Sequence, residues 1–354
     1  MSRFNVGILG ATGAVGQKFI RLLEQHPWFT VTALGASKRS AGKKYKEAVN
    51  WIEPTPIPKD VKDITVANCD PKEMSDVDFV FSGLDSSVAT DIELSFAKAG
   101  VPVISNAKNY RQHKNVPLLV PEVNPDHISM IKDQTFTEDG SGFIVTNPNC
   151  VTVPLVMSLR PIQDAFGIES LVMTSMQAIS GAGYPGVPSL DITGNVIPYI
   201  GGEEDKIETE PLKLLGTLNN NNQVDFADFP IQVTATRVQV IEGHLLSVTL
   251  KLKTVPTSID EVKDAINNWE NPIADLNLPS SPDVALRLYE EPLYPQPRLQ
   301  AYAGNGLQTS IGRLRKAKVF DISFVTMAHN TVRGAAGGAI LNAELLVNKE
   351  YLKA

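Results

Sequence analysis

The stretch Phe4-Asn5-Val6-Gly7-Ile8-Leu9-Gly10-Ala11-Thr12-Gly13-Ala14-Val15-Gly16 decides the fold of this 354-residue chain. Its first six residues are nearly all apolar, which predicts a buried strand of a parallel sheet. A glycine-rich turn follows, and the helix after it carries Val15, Phe19 and Leu22 on one stripe. Because Thr30–Gly35 has the pattern of a second strand, the unit is βαβ, with glycines where a dinucleotide binds. The alternative is that the G-x-x-G-x-x-G spacing only fits a tight turn.

The segment after the second predicted strand indicates which cofactor binds. An NAD-binding protein usually carries Asp or Glu there for the ribose 2′-hydroxyl, but this chain has Gly35-Ala36-Ser37-Lys38-Arg39-Ser40. The hydroxyls and the two cations, Lys38 and Arg39, suit a 2′-phosphate, which a carboxylate would repel. We therefore expect NADP. A solvated basic loop is the alternative.

Strands and helices continue to alternate along the first part of the chain. Phe79–Ser82 has a strand pattern, Ser86–Ala99 a helix pattern and Val101–Ile104 another strand pattern. This alternation predicts a doubly wound parallel sheet. Ser105-Asn106-Ala107-Lys108-Asn109-Tyr110-Arg111 follows the carboxyl end of a strand, where such sheets bind ligands. Arg111 is therefore a candidate phosphate clamp, with an ordinary surface charge as the alternative.

A reactive cysteine is predicted in Thr146-Asn147-Pro148-Asn149-Cys150-Val151-Thr152, which joins a buried strand to a helix pattern. Pro148 ends the strand and Asn149 is an N-cap candidate, so Cys150 is expected at, or one residue inside, the helix N-terminus. The free N–H groups and the dipole there stabilise a thiolate. The alternative is a buried structural cysteine, which is also our interpretation of Cys69.

The sequence pattern changes after Cys150 to strands mixed with helices. Ile168–Gln177 is predicted as a long strand and Glu203–Leu215 as a helix. Val233–Ile241 and Leu245–Leu252 are predicted strands that pair as a hairpin through Glu242-Gly243. Such a mixture predicts an α+β second domain with an antiparallel sheet.

The end of the chain completes the predicted organisation. Lys318–Val325 is predicted as the last strand, and Asn330–Lys349 as a long helix whose small residues pack back on the first domain. The predicted fold class is α/β, with an N-terminal Rossmann-type dinucleotide-binding domain and an α+β catalytic domain. The expected division is 1–149 joined by 330–354, and 150–329.

Composition narrows the classes of function. A net charge of −7 and a pI near 5.4 argue against a general nucleic-acid binder. No apolar run approaches the ~18 residues of a membrane span, and two cysteines make no disulfide framework. We expect a reduced, cytoplasmic protein without a metal ion, acting on a small-molecule substrate.

Taken together, the glycine turn, the Cys150 motif, Glu203 with Lys206, and Arg237 and His244 with six residues between them resemble the aspartate-semialdehyde dehydrogenase family. The length and the segment ending at Arg111 are similar to its archaeal and fungal branch. The resemblance runs from Asn5 to the last helix. It implies a dimerisation role for the second domain and a homodimer or homotetramer.

The resemblance also implies a role for each candidate site residue. Cys150 is the acylated nucleophile, Gln177 hydrogen-bonds the substrate near the thioester, and His244 is the acid/base. Arg237 and Glu203 bind the substrate carboxylate and amino group. The implied phosphate site consists of Lys206, Asn109 and Arg111. The implied NADP contacts are Gly10, Thr12, Gly13, Ala14, Val15, Ser37, Lys38, Arg39, Ser180, Gly181 and Asn330.

The expected reaction is NADPH-dependent reductive dephosphorylation of L-aspartyl 4-phosphate to L-aspartate 4-semialdehyde, through an acyl-thioester on Cys150. This step belongs to lysine, methionine, threonine and isoleucine biosynthesis. The substrate's carboxylate, ammonium and phosphate each find a complementary group, in Arg237, in Glu203, and in Arg111 with Lys206.

Other interpretations remain at this stage. Taken singly, His244 is also compatible with a solvated turn residue, Glu203 and Lys206 with a helix-surface ion pair, and Gln177 with packing. Malonyl-CoA reductase is the alternative enzyme and needs no tight phosphate clamp. N-acetylglutamyl-phosphate reductase fits less well, because an acetylated amine leaves Glu203 without an ammonium partner. A cofactor-binding regulator is the alternative class, and the presence of both Cys150 and His244 argues against it.

Overall fold

Two six-stranded sheets form the framework of residues 3–353, which are the residues that the computed structural model describes. The strands of the first sheet are β1 (Phe4–Leu9), β2 (Phe29–Ala36), β3 (Ala67–Asn68), β4 (Phe79–Ser82), β5 (Val103–Ser105) and β6 (Ile144–Thr146). All pair in parallel in the order β3-β2-β1-β4-β5-β6. This order is the doubly wound arrangement that the βαβ pattern predicts, with its switch point between β1 and β4.

The first sheet is built as its sequence predicts. Helix α1 (Ala14–Leu22) follows the glycine turn, α2 (Tyr45–Ala48) is a single turn, and α3 (Ser86–Lys98) connects β4 to β5. The side chain of Asp85 caps α3 by accepting a hydrogen bond from the N–H of Ser87. The predicted helix 86–99 is thus confirmed.

The second sheet is mixed, and its order contradicts one sequence prediction. Its region contains β7 (Ile168–Gln177), β8 (Thr217–Leu218), β9 (Val224–Asp225), β10 (Ile231–Arg237), β11 (His244–Leu252), β12 (Leu286–Leu288), β13 (Thr309–Lys316) and β14 (Ile322–Ala328). The sheet order is β10-β7-β11-β14-β13-β12, while β8 and β9 form a separate pair. Strand β7 therefore lies between the two strands that were predicted to form a hairpin.

The hairpin prediction is wrong because the segment after β10 bonds to the continuation of β7 instead of turning back at once. The N–H of Val238 donates to the carbonyl of Gln177, and the N–H of Ile179 donates to the carbonyl of Val240. Strand β10 runs parallel to β7, and β11 runs antiparallel to it. Glu242-Gly243 has the composition of a turn, but it lies at the end of a longer connection that runs from β10 past the end of β7 to β11.

Helices cover one face of the second sheet and leave the other open. Helices α4 (Thr152–Phe166), α5 (Ser189–Ile192), α6 (Glu203–Leu214), α7 (Ile259–Asn267) and α8 (Pro297–Gln300) follow in chain order. Of these, α4, α6 and α7 pack on the sheet through one apolar core. On the opposite face Val172, Thr174 and Thr234 are exposed.

The C-terminal segment differs in detail from its prediction. The last strand is β14, which begins four residues later than predicted because Lys318–Phe320 form the turn between β13 and β14. The predicted helix 330–349 is a π-helical turn, Val332–Ala336, followed by α9 (Gly337–Asn348). Ile340, Leu341 and Leu345 of α9 are buried in the same apolar core as Phe19 and Phe81.

No helix among residues 3–353 combines the length and the apolar character needed to cross a membrane.

Candidate active site

Three predicted site residues lie side by side at one end of the second sheet. Gln177 ends β7, Arg237 ends β10 and His244 begins β11. Arg237 is in register with Gln177, and Leu245 is paired with Met176, so His244 falls opposite the end of β7. The carboxyl ends of two parallel strands and the start of an antiparallel one therefore meet at this edge. All three side chains are buried.

The main chain of one residue, Ala178, orients both His244 and Arg237. The N–H of Ala178 donates to Nδ1 of His244 at 3.0 Å. The carbonyl of Ala178 accepts from Nη1 of Arg237 at 2.8 Å. Because Nδ1 accepts a hydrogen bond, neutral His244 carries its proton on Nε2. Burial lowers the pKa of His244 to about 3, with Arg237 and His329 adding to the effect, so the imidazole is neutral at pH 7.

Cys150 faces this histidine across the boundary between the two sheets. Its Sγ lies 3.2 Å from Nε2 of His244. The helix α4 begins at Thr152, two residues after Cys150, so the thiol lies in the turn before the helix and not inside its first turn. The side chain of Asn149 accepts from the N–H of Val151 and supports that turn. Gly334 packs against Cys150 so closely that an added Cβ would lie 2.6 Å from the cysteine's Cβ.

The thiol does not have the lowered pKa that its position in the sequence predicts. Burial, with a smaller contribution from Glu203, raises the pKa of Cys150 to about 12, against the opposing effects of Lys206, Arg111 and Arg237. Burial outweighs the electrostatic help, although part of the residue is still accessible to solvent. The opposing effects nevertheless show that four charged candidate residues surround this sulfur.

Helix α6 supplies a stripe of alternating charges toward the cysteine turn. The stripe consists of Glu203, Lys206, Glu210 and Lys213, whose spacings of three, four and three residues place them along one face. Glu203, Glu210 and Lys213 are buried. Lys213 donates to the main-chain carbonyls of Arg111, His113 and Val116, which fixes the loop that carries Arg111.

Glu203 is held by three side chains. Asn149 Nδ2 lies 3.2 and 3.0 Å from its two carboxylate oxygens, and Gln177 Nε2 lies 3.4 Å from Oε2. Lys206 forms an ion pair with Oε1. Burial alone would raise the pKa of Glu203, but Lys206 and the hydrogen bonds outweigh it and lower the pKa. Glu203 is therefore a buried carboxylate and not a solvated surface charge.

Arg111 is also buried and paired. Its Nη1 donates to Glu210 Oε1 at 2.8 Å, and its Nη2 donates to the carbonyl of Asn106 at 2.7 Å. The other oxygen of Glu210 accepts from the N–H of Asn149 at 2.6 Å. Glu210 thus joins the predicted phosphate ligand to the turn that carries Cys150.

Asn109 is not brought together with the other predicted phosphate ligands. Its Nδ2 donates to the carbonyl of Ser86 and to Oγ1 of Thr90, both in α3. The loop that carries Arg111 thus directs the Asn109 amide away from Lys206. Its phosphate role stays a prediction from the resemblance.

The glycine turn has the close backbone approach that a dinucleotide requires. Gly10 has φ +75°, and a Cβ there would lie 2.8 Å from the carbonyl oxygen of Gly83. A Cβ on Gly16 would lie 2.3 Å from the carbonyl oxygen of Gly10, so α1 packs directly on the end of β1. Gly13 is exposed and caps α1, and Thr12, Ala14 and Val15 are partly exposed beside it. These residues fit a pyrophosphate at a helix N-terminus.

The remaining predicted cofactor contacts fall into two groups. Ser37, Lys38 and Arg39 are exposed just beyond the carboxyl end of β2. Nδ2 of Asn330 donates to Oγ of Ser180 at 2.8 Å, and Oδ1 of Asn330 accepts from the N–H of Gly243. A Cβ on Gly181 would lie 2.9 Å from Arg237 Nη1 and 3.2 Å from His244 Nε2. A larger residue at this position would have to displace the head groups of Arg237 and His244.

Sequence reasoning missed several residues that organise this site. Asn149 was identified only as a cap, although it contacts both Glu203 and Glu210. The helical spacing of Glu210 from Glu203 was the available signal for its position. Ala178 carried no signal, because only its main chain takes part. No cluster of three or more metal-ligating side chains occurs in the described part of the chain.

Fold and site together define a dinucleotide-binding protein with a cysteine–histidine centre. Residues 5–131 match the model for the semialdehyde dehydrogenase NAD-binding domain, and residues 159–333 match the model for the semialdehyde dehydrogenase dimerisation domain. Aspartate-semialdehyde dehydrogenases from Archaeoglobus fulgidus and Schizosaccharomyces pombe are each 49% identical over 350 residues. They cover 99% and 97% of this chain, and 100% and 98% of their own lengths. The chain belongs to the aspartate-semialdehyde dehydrogenase family.

Solved structures agree with this assignment. The aspartate-semialdehyde dehydrogenase of Candida albicans, determined with NADP, is 42% identical with a TM-score of 0.90, and the match covers 99% of both chains. Aspartate-semialdehyde dehydrogenase II of Vibrio cholerae in complex with ASA is 27% identical with a TM-score of 0.77, covering 98% of this chain and 99% of that one.

The raised pKa of Cys150 predicts slow and strongly pH-dependent alkylation of the ligand-free protein. Because only the thiolate reacts, the iodoacetamide rate should rise about tenfold per pH unit through pH 10, without the plateau of a free thiol of pKa ~8.5. Cys150→Ser measures the contribution of Cys69. A plateau below pH 9 would show that the pKa of Cys150 is not raised.

Proposed function

We propose that this protein catalyses the reversible, NADP- and phosphate-dependent interconversion of L-aspartyl 4-phosphate and L-aspartate 4-semialdehyde. The observation that carries the proposal is the placement of Cys150 Sγ 3.2 Å from His244 Nε2, with Arg237, Glu203 and Lys206 around it. The similarity to aspartate-semialdehyde dehydrogenases supports the choice of substrate. The aldehyde would supply the biosynthesis of lysine, methionine, threonine and isoleucine.

The charges of the site match those of the substrate one for one. Arg237 is the proposed partner of the α-carboxylate and Glu203 of the ammonium. Arg111 and Lys206 are proposed to hold the phosphate. Arg111 uses only two of its five N–H donors within the described residues, so it retains donors for an anion. A coenzyme A thioester substrate would leave both phosphate ligands without a function, which favours the phosphorylating reaction over malonyl-CoA reduction.

The chain's own residues perform the acyl transfer. In the reductive direction the Cys150 thiolate attacks the acyl carbon, a C–S bond forms, and the C–O bond to phosphate breaks. A bound nicotinamide cofactor would supply the hydride that reduces the thioester. The C–S bond then breaks, which releases the aldehyde and restores Cys150. Nε2–H of His244 donates to the sulfur and stabilises it whenever it carries negative charge. The acid/base role of His244 stays a prediction from the resemblance.

The glycine turn, Ser37, Lys38, Arg39, Ser180, Gly181 and Asn330 are the proposed NADP contacts. We also propose a dinucleotide-binding domain of residues 1–149 joined by 330–354, and a catalytic and dimerisation domain of residues 150–329. Residues 1, 2 and 354 lie outside the described part of the chain. Free thiols at Cys69 and Cys150 support a reducing, cytoplasmic location.

The direct test of the proposed function uses aspartate semialdehyde, phosphate and NADP, followed by NADPH absorbance. Cys150→Ser should bind NADP normally and lose about a thousandfold or more in kcat, because a serine hydroxyl is far less ionised. Cys69→Ser is the matched control and should keep its activity. A Cys150→Ser enzyme with a tenth of normal kcat would contradict the thioester route.

Cofactor choice is tested at Arg39. Arg39→Ala should weaken NADPH binding about ten- to a hundredfold, since a charged hydrogen bond contributes roughly 1.5–3 kcal/mol. NADH binding should change little because it has no 2′-phosphate. Lys59→Ala removes an exposed cation elsewhere and should change neither dissociation constant. Equal losses for both cofactors would exclude Arg39 from 2′-phosphate recognition.

We propose a homodimer formed through the open face of the second sheet. That face carries Val172, which is 43% exposed, among neutral Thr174, Thr234 and Ser247. Val172→Arg should therefore shift sedimentation at micromolar concentration toward the monomer, because a dry interface rejects an unpaired charge. Val255→Arg, on an exposed loop, is the control. A Val172→Arg protein that stays dimeric would place the interface elsewhere. A homotetramer would require a further surface.

A further inference from the structure

The carboxylate of Glu203 has no free acceptor position. Its two oxygens receive two contacts from Asn149, one from Gln177 and one from Lys206. A carboxylate offers about four lone-pair positions, so all of them are occupied. A substrate ammonium that binds Glu203 must therefore displace one of these donors.

Lys206 is the donor that can leave. Asn149 and Gln177 are 5% and 1% exposed and are fixed by the cysteine turn and by β7, whereas the Lys206 side chain is 25% exposed on a flexible stem. Two cations beside one buried carboxylate also repel each other, while neutral amides do not. An arriving ammonium thus replaces the Lys206 ammonium and leaves the two amides in place.

Lys206 and Arg111 differ in how they can receive phosphate. Arg111 is bound to Glu210 but keeps further N–H donors, so it can bind an anion without breaking that pair. Lys206 has one small head group, which is engaged at Glu203. After displacement, its charge remains close to Cys150, where its effect on the thiol is already felt. The released Lys206 can then pair with an anion that is bound beside Arg111.

We propose that substrate binding breaks the Lys206–Glu203 ion pair. The substrate's ammonium takes the place of Lys206 at Glu203, and the released lysine completes the phosphate site. The proposal rests on the proposed function and adds a specificity element to it. Phosphate binds tightly only when an amino acid skeleton is present. By linkage, phosphate must strengthen amino-acid binding by the same factor.

The test measures binding without turnover, in a Cys69→Ser background. Inorganic phosphate protects Cys150 against iodoacetamide, and its half-protecting concentration is measured with saturating L-2-aminobutanoate or with butanoate, which lacks the amine. The amino acid should lower that concentration about fivefold or more, and butanoate should leave it unchanged. Lys206→Met should abolish the difference. Asp205→Asn, which removes an exposed anion from the same helical turn, should preserve it.

Two results would overturn the exchange: equal effects of L-2-aminobutanoate and butanoate on the Cys69→Ser protein, or a Lys206→Met protein that retains the full enhancement. The outcome is separate from that of the proposed function. Coupling between amine and phosphate without NADPH formation from aspartate semialdehyde would support the exchange and refute the reaction. NADPH formation without coupling between amine and phosphate would support the reaction and refute the exchange.

Discussion

The main chain of Ala178 is the constraint on which the site depends. Its N–H donates to Nδ1 of His244 and sets the tautomer, and its carbonyl accepts from Arg237, so one residue holds both side chains. This is possible only because β7 lies between β10 and β11. A hairpin of the last two strands would have left no third strand between these two side chains. The order of the strands therefore determines the geometry of the site as well as the fold.

Charge neutrality is the second principle of the site. Each cation proposed to bind phosphate is paired with a carboxylate on α6, Lys206 with Glu203 and Arg111 with Glu210. Buried charges without partners are costly, so the ligand-free protein keeps its binding groups charged by pairing them internally. The proposed substrate then replaces internal partners of these groups with its own charges. Partial burial of Cys150 belongs to the same arrangement, because it disfavours the charged thiolate in the ligand-free protein.

The sequence predicted those features that depend on local pattern. The βαβ unit, the long strand ending at Gln177 and the helix that begins at Glu203 all have the predicted period. The failures concern long-range pairing. Glu242-Gly243 has hairpin composition, yet no local signal shows that β7 enters between the strands. The direction of the Cys150 pKa shift was predicted wrongly for a similar reason, since the packing of Gly334 and His244 against this residue cannot be read from a turn motif. Glu210 had a helical spacing signal, whereas Ala178 acts through atoms that every residue has.

The placement of α9 has a consequence for biosynthesis of the chain. The first sheet is complete at Thr146, but the helix that shares its core starts only at Gly337. A polypeptide that leaves the ribosome N-terminus first must therefore carry an open apolar face on its dinucleotide-binding half while the entire second sheet is made. The π-helical turn before α9 also touches Cys150. Nascent chains should thus acquire the cofactor cradle and the cysteine pocket together, as one of the last events of folding.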